Sequence, residues 1–407
     1  MSDQAISHVE DTLASFRVSF NVSEHIMQNF TTMEIILGES LLTPGLQTSV
    51  RVHSRVHNNP VKNLDEFKGA DCKIRIERPI LDRFGVPTIM NVNQVTYRLD
   101  NRKLHNNNTE EFIIHICDQT LLDDAATLVS KYWKCTTPSA VVDEVLASCA
   151  GARNLDIESS SPARDYVAEN IHPFQVVSQQ ANAALAAGND PSFVHYMTYE
   201  NLGTHHFRSL YSLTRQNPMF TYTYNEVASS RHGAGYGNPF GIMTYSFPCD
   251  FDLLSDILNG VDANGNDVNS LFTFNPLTKS FNIFGNKTFG CGIGGGVAKT
   301  ALSNMGSAQN QNSCPDYTHL YLQKRQARMA LLEQDKIALR MTVPWNPMLH
   351  AGKVISLHLI NKEDETTKNY GSGDYLIVSI KHNIKYGGFA TTMLDCVSTT
   401  VGQGGIV

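Results

Sequence analysis

The segment FGCGIGGGVAKT, residues 289–300, gathers the residue types that cradle phosphates, clustered glycines followed by Lys299 and Thr300. A phosphate loop of the pattern G-x-x-x-x-G-K-S/T would need glycine at 293 and 298, where the chain has Ile293 and Ala298. Gly290, Gly292 and Gly295 do satisfy the dinucleotide spacing G-x-G-x-x-G, and Ser280–Phe284 reads as a strand ahead of them. That spacing carries chemistry only where the loop lies inside a βαβ unit with parallel strands. Here the polar run SNMGSAQNQNS follows, so the expectation is a glycine-rich loop. A nucleotide-binding enzyme built on Gly290–Thr300 is the alternative function.

Other candidates fail on similar grounds. Asp262-Ala-Asn-Gly-Asn266 opens like a calcium loop, but glycine at the sixth position and glutamate at the twelfth are replaced by Asp267 and Thr273. His205 and His206 are neighbours on a predicted strand, where adjacent side chains point to opposite faces and cannot readily share one metal ion. Asp118, Asp123 and Asp124 fall at the first turn of a predicted helix, where carboxylates favour the dipole. Gly371-Ser-Gly373 lacks the nucleophile elbow G-x-S-x-G. No catalytic residue, cofactor or metal site is predicted.

Composition sets the frame for these absences. The chain has 407 residues, 42% apolar and 17% charged, enough for two or three folded domains. Its net charge of −7 argues against a chain that grips nucleic acid, which needs clustered Lys and Arg. The opening MSDQAISHVEDTL has no basic segment before an apolar run, and no stretch is apolar enough to span a membrane, so neither export nor membrane insertion is expected. Eight scattered cysteines, at 72, 117, 135, 149, 249, 291, 314 and 396, contain no C-x-x-C pair and read as idle thiols of a reducing compartment.

The elements follow from periodicity. Lys73–Glu77, Val95–Leu99 and Phe112–Ile116 alternate with period two, which predicts an antiparallel β region over residues 1–120. Thr137 then caps a helix opened by Pro138, with Val141, Val142, Val145 and Leu146 on one face and Gly151 as its stop. His172-Pro173 opens a second, with Phe174, Val177, Ala181, Ala184 and Leu185 on one face and Gly188–Pro191 closing it. Phe193–Glu200 and Thr204–Leu210 read as a hairpin across Asn201-Leu-Gly203, completing an α+β unit over 121–212. From 263 to 320 the chain is rich in Gly and Asn, the mark of an insertion. A helix around Tyr321–Glu333 is predicted to carry Lys324, Arg325 and Arg328 on a solvated face. Alternating strands from Ile337 to Val397 close the chain as a meander, with no sequence repeat linking the two β-rich ends.

The order of these elements, with three groups of motifs, resembles the baseplate central hub protein of contractile-tailed bacteriophages, the T-even hub and the hub part of type VI secretion spikes. The first group is Asn170-Ile-His-Pro-Phe174, Asn189-Asp-Pro-Ser-Phe193 and His206-Phe-Arg-Ser-Leu210. The second is Phe251-Asp-Leu-Leu254, Ile257-Leu-Asn-Gly-Val261 and Phe272-Thr-Phe-Asn-Pro276. The third runs from Val343 to Val354, then Gly373-Asp-Tyr-Leu-Ile377 and Ile380-Lys-His382. Matching positions within them are Pro173, Phe193, Phe207, Arg208, Ser209, Leu210, Gly260, Pro344, Gly352, Gly373, Tyr375, Leu376, Ile377 and His382. The chain departs from the family at Pro344-Trp345, where relatives often carry Pro-Gly.

The resemblance implies a β-rich α+β fold with two tube-type antiparallel β-barrel domains, one over 1–120 and one over 213–262 with 321–407, plus smaller α+β parts. It implies a homotrimer in which three chains of two similar modules imitate a sixfold ring, so that a sixfold tail tube can rest on a threefold spike. Subunit contacts of about 2,000–5,000 Å² with an apolar core would follow. The implied partners are the tail tube protein, the central spike protein and wedge or other baseplate proteins, with DNA passing through a channel without specific binding. The implied location is the virion's tail baseplate, assembled in the host cytoplasm, and the implied role is structural, not enzymatic.

Overall fold

The computed structural model describes residues 14–24, 30–55, 60–78, 89–106, 108–224, 240–249, 254, 270–275, 280–285, 298–302, 321–333, 336–359, 371–386 and 390–398. The first part of the chain forms β1 (Ser15–Phe20), β2 (Phe30–Ser40), β3 (Gln47–Arg55), β4 (Asp71–Glu77), β5 (Ile89–Asn106) and β6 (Thr109–Cys117). Period-two alternation decides their faces. In β4, Cys72, Ile74 and Ile76 are buried while Asp71, Lys73 and Arg75 face out. Phe112, Ile114 and Ile116 of β6 meet them in one core. All pairs are antiparallel, in the order β1-β4-β5-β6-β3-β2.

An α+β unit follows: α1 (Gln119–Ala126), β7 (Val129–Thr136), α2 (Pro138–Ser148), β8 (Leu155–Ile157), β9 (Arg164–Ile171) and α3 (Pro173–Ala183). Helix α2 begins as its sequence predicts: Thr137 Oγ1 accepts from the Ala140 N–H, Pro138 sits in the first turn, and Val141, Val142, Val145 and Leu146 are buried. Gly151, at φ +67°, takes the left-handed turn beyond its end. Helix α3 starts at Pro173 but stops at Ala183, ahead of the predicted Gly188–Pro191 boundary. There the chain leaves the helix so that Leu185 can exchange two backbone hydrogen bonds with Ser161, at 2.8 and 3.0 Å. The hairpin β10 (Phe193–Thr198) and β11 (Thr204–Ser209) is antiparallel, β8 adds to it in parallel, and the helical turn α4 (Leu210–Leu213) ends the unit.

The rest of the chain supplies β12 (Thr221–Tyr224), β13 (Thr244–Ser246), β14 (Ser270–Asn275), β15 (Ser280–Gly285), β16 (Ala298–Leu302) and α5 (Leu322–Ala330). Four closing strands follow, β17 (Leu339–Pro344), β18 (Val354–Leu359), β19 (Gly373–Lys385) and β20 (Ala390–Val397). Strands β14, β15 and β16 make a separate three-stranded sheet inside the Gly/Asn-rich segment. The residues directly after the glycine cluster, Ala298–Leu302, are therefore a strand paired parallel to β14. A dinucleotide fingerprint would require a helix there.

Strand β19 joins the two ends of the chain. Its first half, Gly373–Leu376, pairs with β18, and its second half, Ser379–Lys385, pairs with β2 at Glu34–Ser40. The change of partner coincides with an irregularity at Val378 in the ladder to β20 and a hydrogen bond from the Leu41 N–H to the Val378 carbonyl. One twelve-stranded sheet results, along β1-β4-β5-β6-β3-β2-β19-β20-β17-β13, with β18 and β12 attached. This sheet closes no barrel among the described residues, and the remaining strands form three smaller sheets, β10-β11-β8, β15-β14-β16 and β7-β9. Two separate apolar cores lie on the twelve-stranded sheet, one dominated by β1–β6 and one by β17–β20, and a third fills the α+β unit. Among the described residues no helix is long and apolar enough to cross a membrane.

Candidate functional site

The three cores meet at the hairpin. Every residue of β10 is buried, which alternation alone would not produce for a strand wet on one face. Phe193 stacks on Phe207, centroids 4.8 Å apart, in the α+β core. Val194 and Tyr196 enter the closing core, whereas Met197 and Tyr199 enter the first core. One short strand thus pins all three.

Tyr196 fixes the closing side. It stacks on His206 of the partner strand at 4.7 Å, and its hydroxyl lies where a side chain at Gly352 would have to go. A Cβ at Gly352 would stand 2.4 Å from Tyr196 Oη, and the backbone there has φ +84°. Only glycine meets both demands without displacing the tyrosine. Gln216 Nε2 donates to the Gly352 carbonyl at 2.9 Å, tying α4's end to the same turn.

Glu39 fixes the first side, and sequence reasoning missed it. It follows Ile35 and Leu37 on the inward face of β2, and its side chain is fully buried. Glu39 Oε1 accepts from the Tyr199 N–H and meets His350 Nδ1, each at 2.8 Å, while Oε2 accepts from the Ala351 N–H at 2.8 Å. Burial alone would raise the carboxyl's pKa. The His350 charge and these hydrogen bonds outweigh it, so Glu39 is held below the usual carboxylate range. Burial would likewise lower His350, but Glu39 holds it above the ordinary imidazole value. The pair is therefore ionic and joins β2, the hairpin and the 345–352 turn. The visible signal was a carboxylate in the inward phase of an apolar strand.

Around this pair the contacts remain polar. The Tyr199 hydroxyl donates to the Gln47 carbonyl at 3.1 Å and lies 2.8 Å from Thr48 Oγ1. Arg78 Nη1 donates to the Trp345 carbonyl at 2.8 Å. Trp345 itself is wholly buried in the first core, where its indole fills space, and its backbone N–H donates to the Ala390 carbonyl. At the rim Lys353 Nζ meets Glu200 at 2.9 Å.

The predicted histidines part as expected for a strand. His205 faces His195 at 3.1 Å and Thr120 Oγ1 at 3.1 Å, while His206 meets Asp156 at 2.9 Å and Thr198 Oγ1 at 2.9 Å. Burial pushes His205 down to about 4 and His195 well below its usual value. Of the acidic cluster only Asp118 sits at the helix start, as the α1 cap; Asp124 instead accepts from the Phe174 N–H at 2.6 Å. Ser372 is buried and its Oγ accepts from the Leu359 N–H, closing β18 onto β19.

The motif residues gather mainly around the hairpin and β19. Pro173 opens α3, Ser209 caps α4 through the Ser212 N–H, Arg208 meets Asp156 at 3.3 Å, and Leu210 is buried in the closing core. Gly373, Tyr375, Leu376 and Ile377 form the β18-facing half of β19, with the Tyr375 hydroxyl donating to the Gly371 carbonyl at 2.6 Å. His382 is fully buried in the other half, 2.8 Å from Thr392 Oγ1, with burial lowering it to about 4. Pro344 ends β17 opposite Thr391. Gly260, the glycine loop 289–297 and the Asp262–Asn266 segment lie outside the described residues.

The basic residues of α5 are not a solvated face. Arg325 donates to Asn182 Oδ1 and to the Pro191 and Phe193 carbonyls at 2.8–2.9 Å, Lys324 to the Asn189 carbonyl, and Arg328 pairs with Asp190 at 3.2 Å. The helix thus supplies donors to backbone carbonyls of the segment that follows α3, and burial brings Arg325 down to about 10. Cys135, expected as an idle thiol, is disulfide-bonded, whereas Cys72, Cys117, Cys149, Cys249 and Cys396 are free. Compartment arguments from composition do not reveal which cysteines folding brings together.

A cleft of about 540 Å³ beside His350 is lined by Met90, Asn91, Glu200, Asn201, Met219 and Met348 among others.

These features define a class of fold: a β-rich chain with two cores on one sheet, pinned by an α+β hairpin. A tail protein from Neisseria meningitidis MC58 has a similar fold, with TM-score 0.56 over 96% of this chain and 98% of that one at 12% identity. The 43 kDa tail protein of prophage MuSo2 from Shewanella oneidensis is similar at TM-score 0.53, over 91% and 97% of the two chains at 9% identity. An E. coli component of the type VI secretion system shows a more distant likeness, TM-score 0.48 at 8% identity over 96% of this chain and 79% of that one. No family model matches the sequence, and no curated protein is significantly similar to it.

Proposed function

We propose that this chain is the structural hub of a phage tail baseplate: a homotrimeric adaptor joining a sixfold tail tube to a threefold central spike, with a channel through which DNA is ejected. The observation that carries the proposal is the pair of β cores on one sheet, in a fold shared from end to end with tail proteins. Three chains of two modules each offer six docking surfaces on a threefold body. In this reading the modules are tube-type barrels over 1–120 and over 213–262 with 321–407, completed in the assembly, and 263–320 is an insertion beside them. The motif residues around the hairpin and β19 serve as its hinge-free brace, and wedge or other baseplate proteins bind outside it.

Two further features support an assembly role. Tyr132 and Val167, direct cross-strand neighbours on β7 and β9, are 53% and 51% exposed, an apolar pair suited to a subunit contact. The net charge of −7 suits a wall that DNA passes without binding. The reading makes the chain non-enzymatic and places it in the virion.

Solution mass and electron microscopy of the purified chain test this directly. Threefold rings, or a trimer's mass, are expected; a strictly monomeric species at high concentration overturns the proposal. Thermal shift with ATP, GTP and NAD tests the alternative, because a true ligand at 100 times its Kd adds about 2.7 kcal/mol. No shift is expected.

A further inference from the structure

We propose that His53, His105 and Glu111 form a binding site for a divalent first-row metal ion of the zinc type, on the first sheet. The three residues come from adjacent strands. His53 of β3 lies directly opposite Glu111 of β6, and Lys103 of β5 lies opposite Glu111 on its other side. His105 stands two residues on from Lys103 and so shares its face. The β5–β6 register shifts between Leu104 and Asn106, leaving His105 as the residue without a ladder partner. A bulge of this kind re-aims a side chain.

The distances suit ligation better than hydrogen bonding. His53 Nε2 and His105 Nδ1 stand 3.5 and 3.6 Å from Glu111 Oε2, and the three ligand atoms all lie within 4.8 Å of one another. Hydrogen bonds between such groups would be shorter. Three ligands held about 2.0–2.1 Å from a tetrahedral ion stand roughly 3.3 Å apart, close to the two His–Glu111 spacings. The two imidazole rings converge, with centroids 4.7 Å apart.

The carboxylate is divided between two tasks. Its Oε1 faces Arg51 at 3.7 Å and Lys103 at 3.5 Å, whereas Oε2 is turned to both histidines. The cations act as the outer partners that orient a ligating carboxylate. They also weaken the site electrostatically, so its affinity falls below that of a closed four-ligand structural site. Access is open: the Glu111 side chain is 10% exposed at the floor, and those of His53 and His105 are 21% and 50% exposed above it. Water completes the coordination. Two imidazoles and one carboxylate select zinc, nickel or copper over magnesium or calcium. A bound ion would clasp β5 to β3 across β6, near the end of the β5–β6 hairpin.

Calorimetric titration of the chelator-stripped full chain with zinc chloride at neutral pH tests it, together with the visible spectrum of the cobalt-loaded protein. We expect one zinc ion per chain, no heat from magnesium, and the ligand-field bands of a four-coordinate cobalt site. His53→Ala with His105→Ala should lower zinc affinity by roughly tenfold or more, since loss of even an outer partner costs that much. His105→Ala alone, at a half-exposed position, keeps the fold and gives the same readout if the double variant does not fold. His115→Ala, remote from the cluster and paired to Asp100, should bind like the parent. Absence of zinc binding by the parent overturns the proposal, as does undiminished affinity in folded His105→Ala.

Discussion

The hairpin meets the two β cores through seams of opposite character. Toward the first core the seam is polar: a buried carboxylate, an imidazolium, a tyrosine hydroxyl and backbone N–H groups, each with a partner. Toward the closing core it is mainly apolar, and the Tyr196 hydroxyl lies where a side chain at Gly352 would stand. Apolar packing stabilises whatever arrangement excludes water. A buried ion pair stabilises little against a hydrophobic substitute but penalises every arrangement that separates its members. The polar seam therefore penalises separation of β2, the hairpin and the 345–352 turn, while the apolar seam contributes burial.

Breaking the polar seam should have the largest effect. Glu39→Ala strands the buried His350 and two backbone donors, at a cost of about 3–5 kcal/mol. Urea unfolding at fixed protein concentration measures it as a lower midpoint. An unchanged midpoint would show that water or another group already satisfies these partners. Gly352→Ala attacks the other seam. Left-handed backbone strain and the clash with Tyr196 together cost roughly 2–4 kcal/mol. Hydrogen exchange should show β18 and the β18-facing half of β19 loosening before β4 and β6; uniform loosening would mean that the seams are not separable.

Proton linkage separates the seams by pH. Glu39 is depressed, so its contribution is present above the ordinary carboxylate value and is lost as pH falls through its folded pKa. His350 is raised, so its contribution is complete below about 6.5 and is lost as pH rises through its folded pKa. The Glu39–His350 coupling in a double-mutant cycle should therefore be largest near pH 5–6 and decline in alkali. His205 and His382 oppose this. Both are lowered to about 4, so the stability they confer is whole above about 6.5 and fades on acidification, by roughly 3 kcal/mol each near pH 4. A coupling that grows in alkali would refute the ionic assignment of the polar seam.

The sequence made local structure legible and long-range partnership much less so. Thr137-Pro138 and the Val141–Leu146 stripe identify α2 because capping and period are local physics. The hairpin at 193–209 and the burial of β4 are visible for the same reason. Alternation says which way Ile35, Leu37 and Glu39 point but not that β2 pairs with β19, more than 300 positions away. It therefore did not show that the two β regions share one sheet. A charged stripe such as that carrying Arg325 looks the same in sequence whether its donors meet water or backbone carbonyls. Glu39 was legible only to the rule that a charge in an inward phase must have a partner.

The smallest effect sharpens the comparison most economically. Lys353 and Glu200 form a 2.9 Å pair at the edge of the polar seam, with side chains 26% and 27% exposed. By distance alone it matches the Glu39–His350 contact at 2.8 Å. If contact distance decided the energy, removing either pair would cost the same. Solvation predicts otherwise: around Lys353, water competes for both ions and salt screens them, so Lys353→Ala should cost only about 0.2–1 kcal/mol. Raising the salt should erase most of that difference while leaving the Glu39 effect nearly intact, because ions do not enter the buried pair. Equal costs, or equal salt sensitivity, would mean that the centre of the polar seam is as wet as its rim, and the contrast between the two seams would fall.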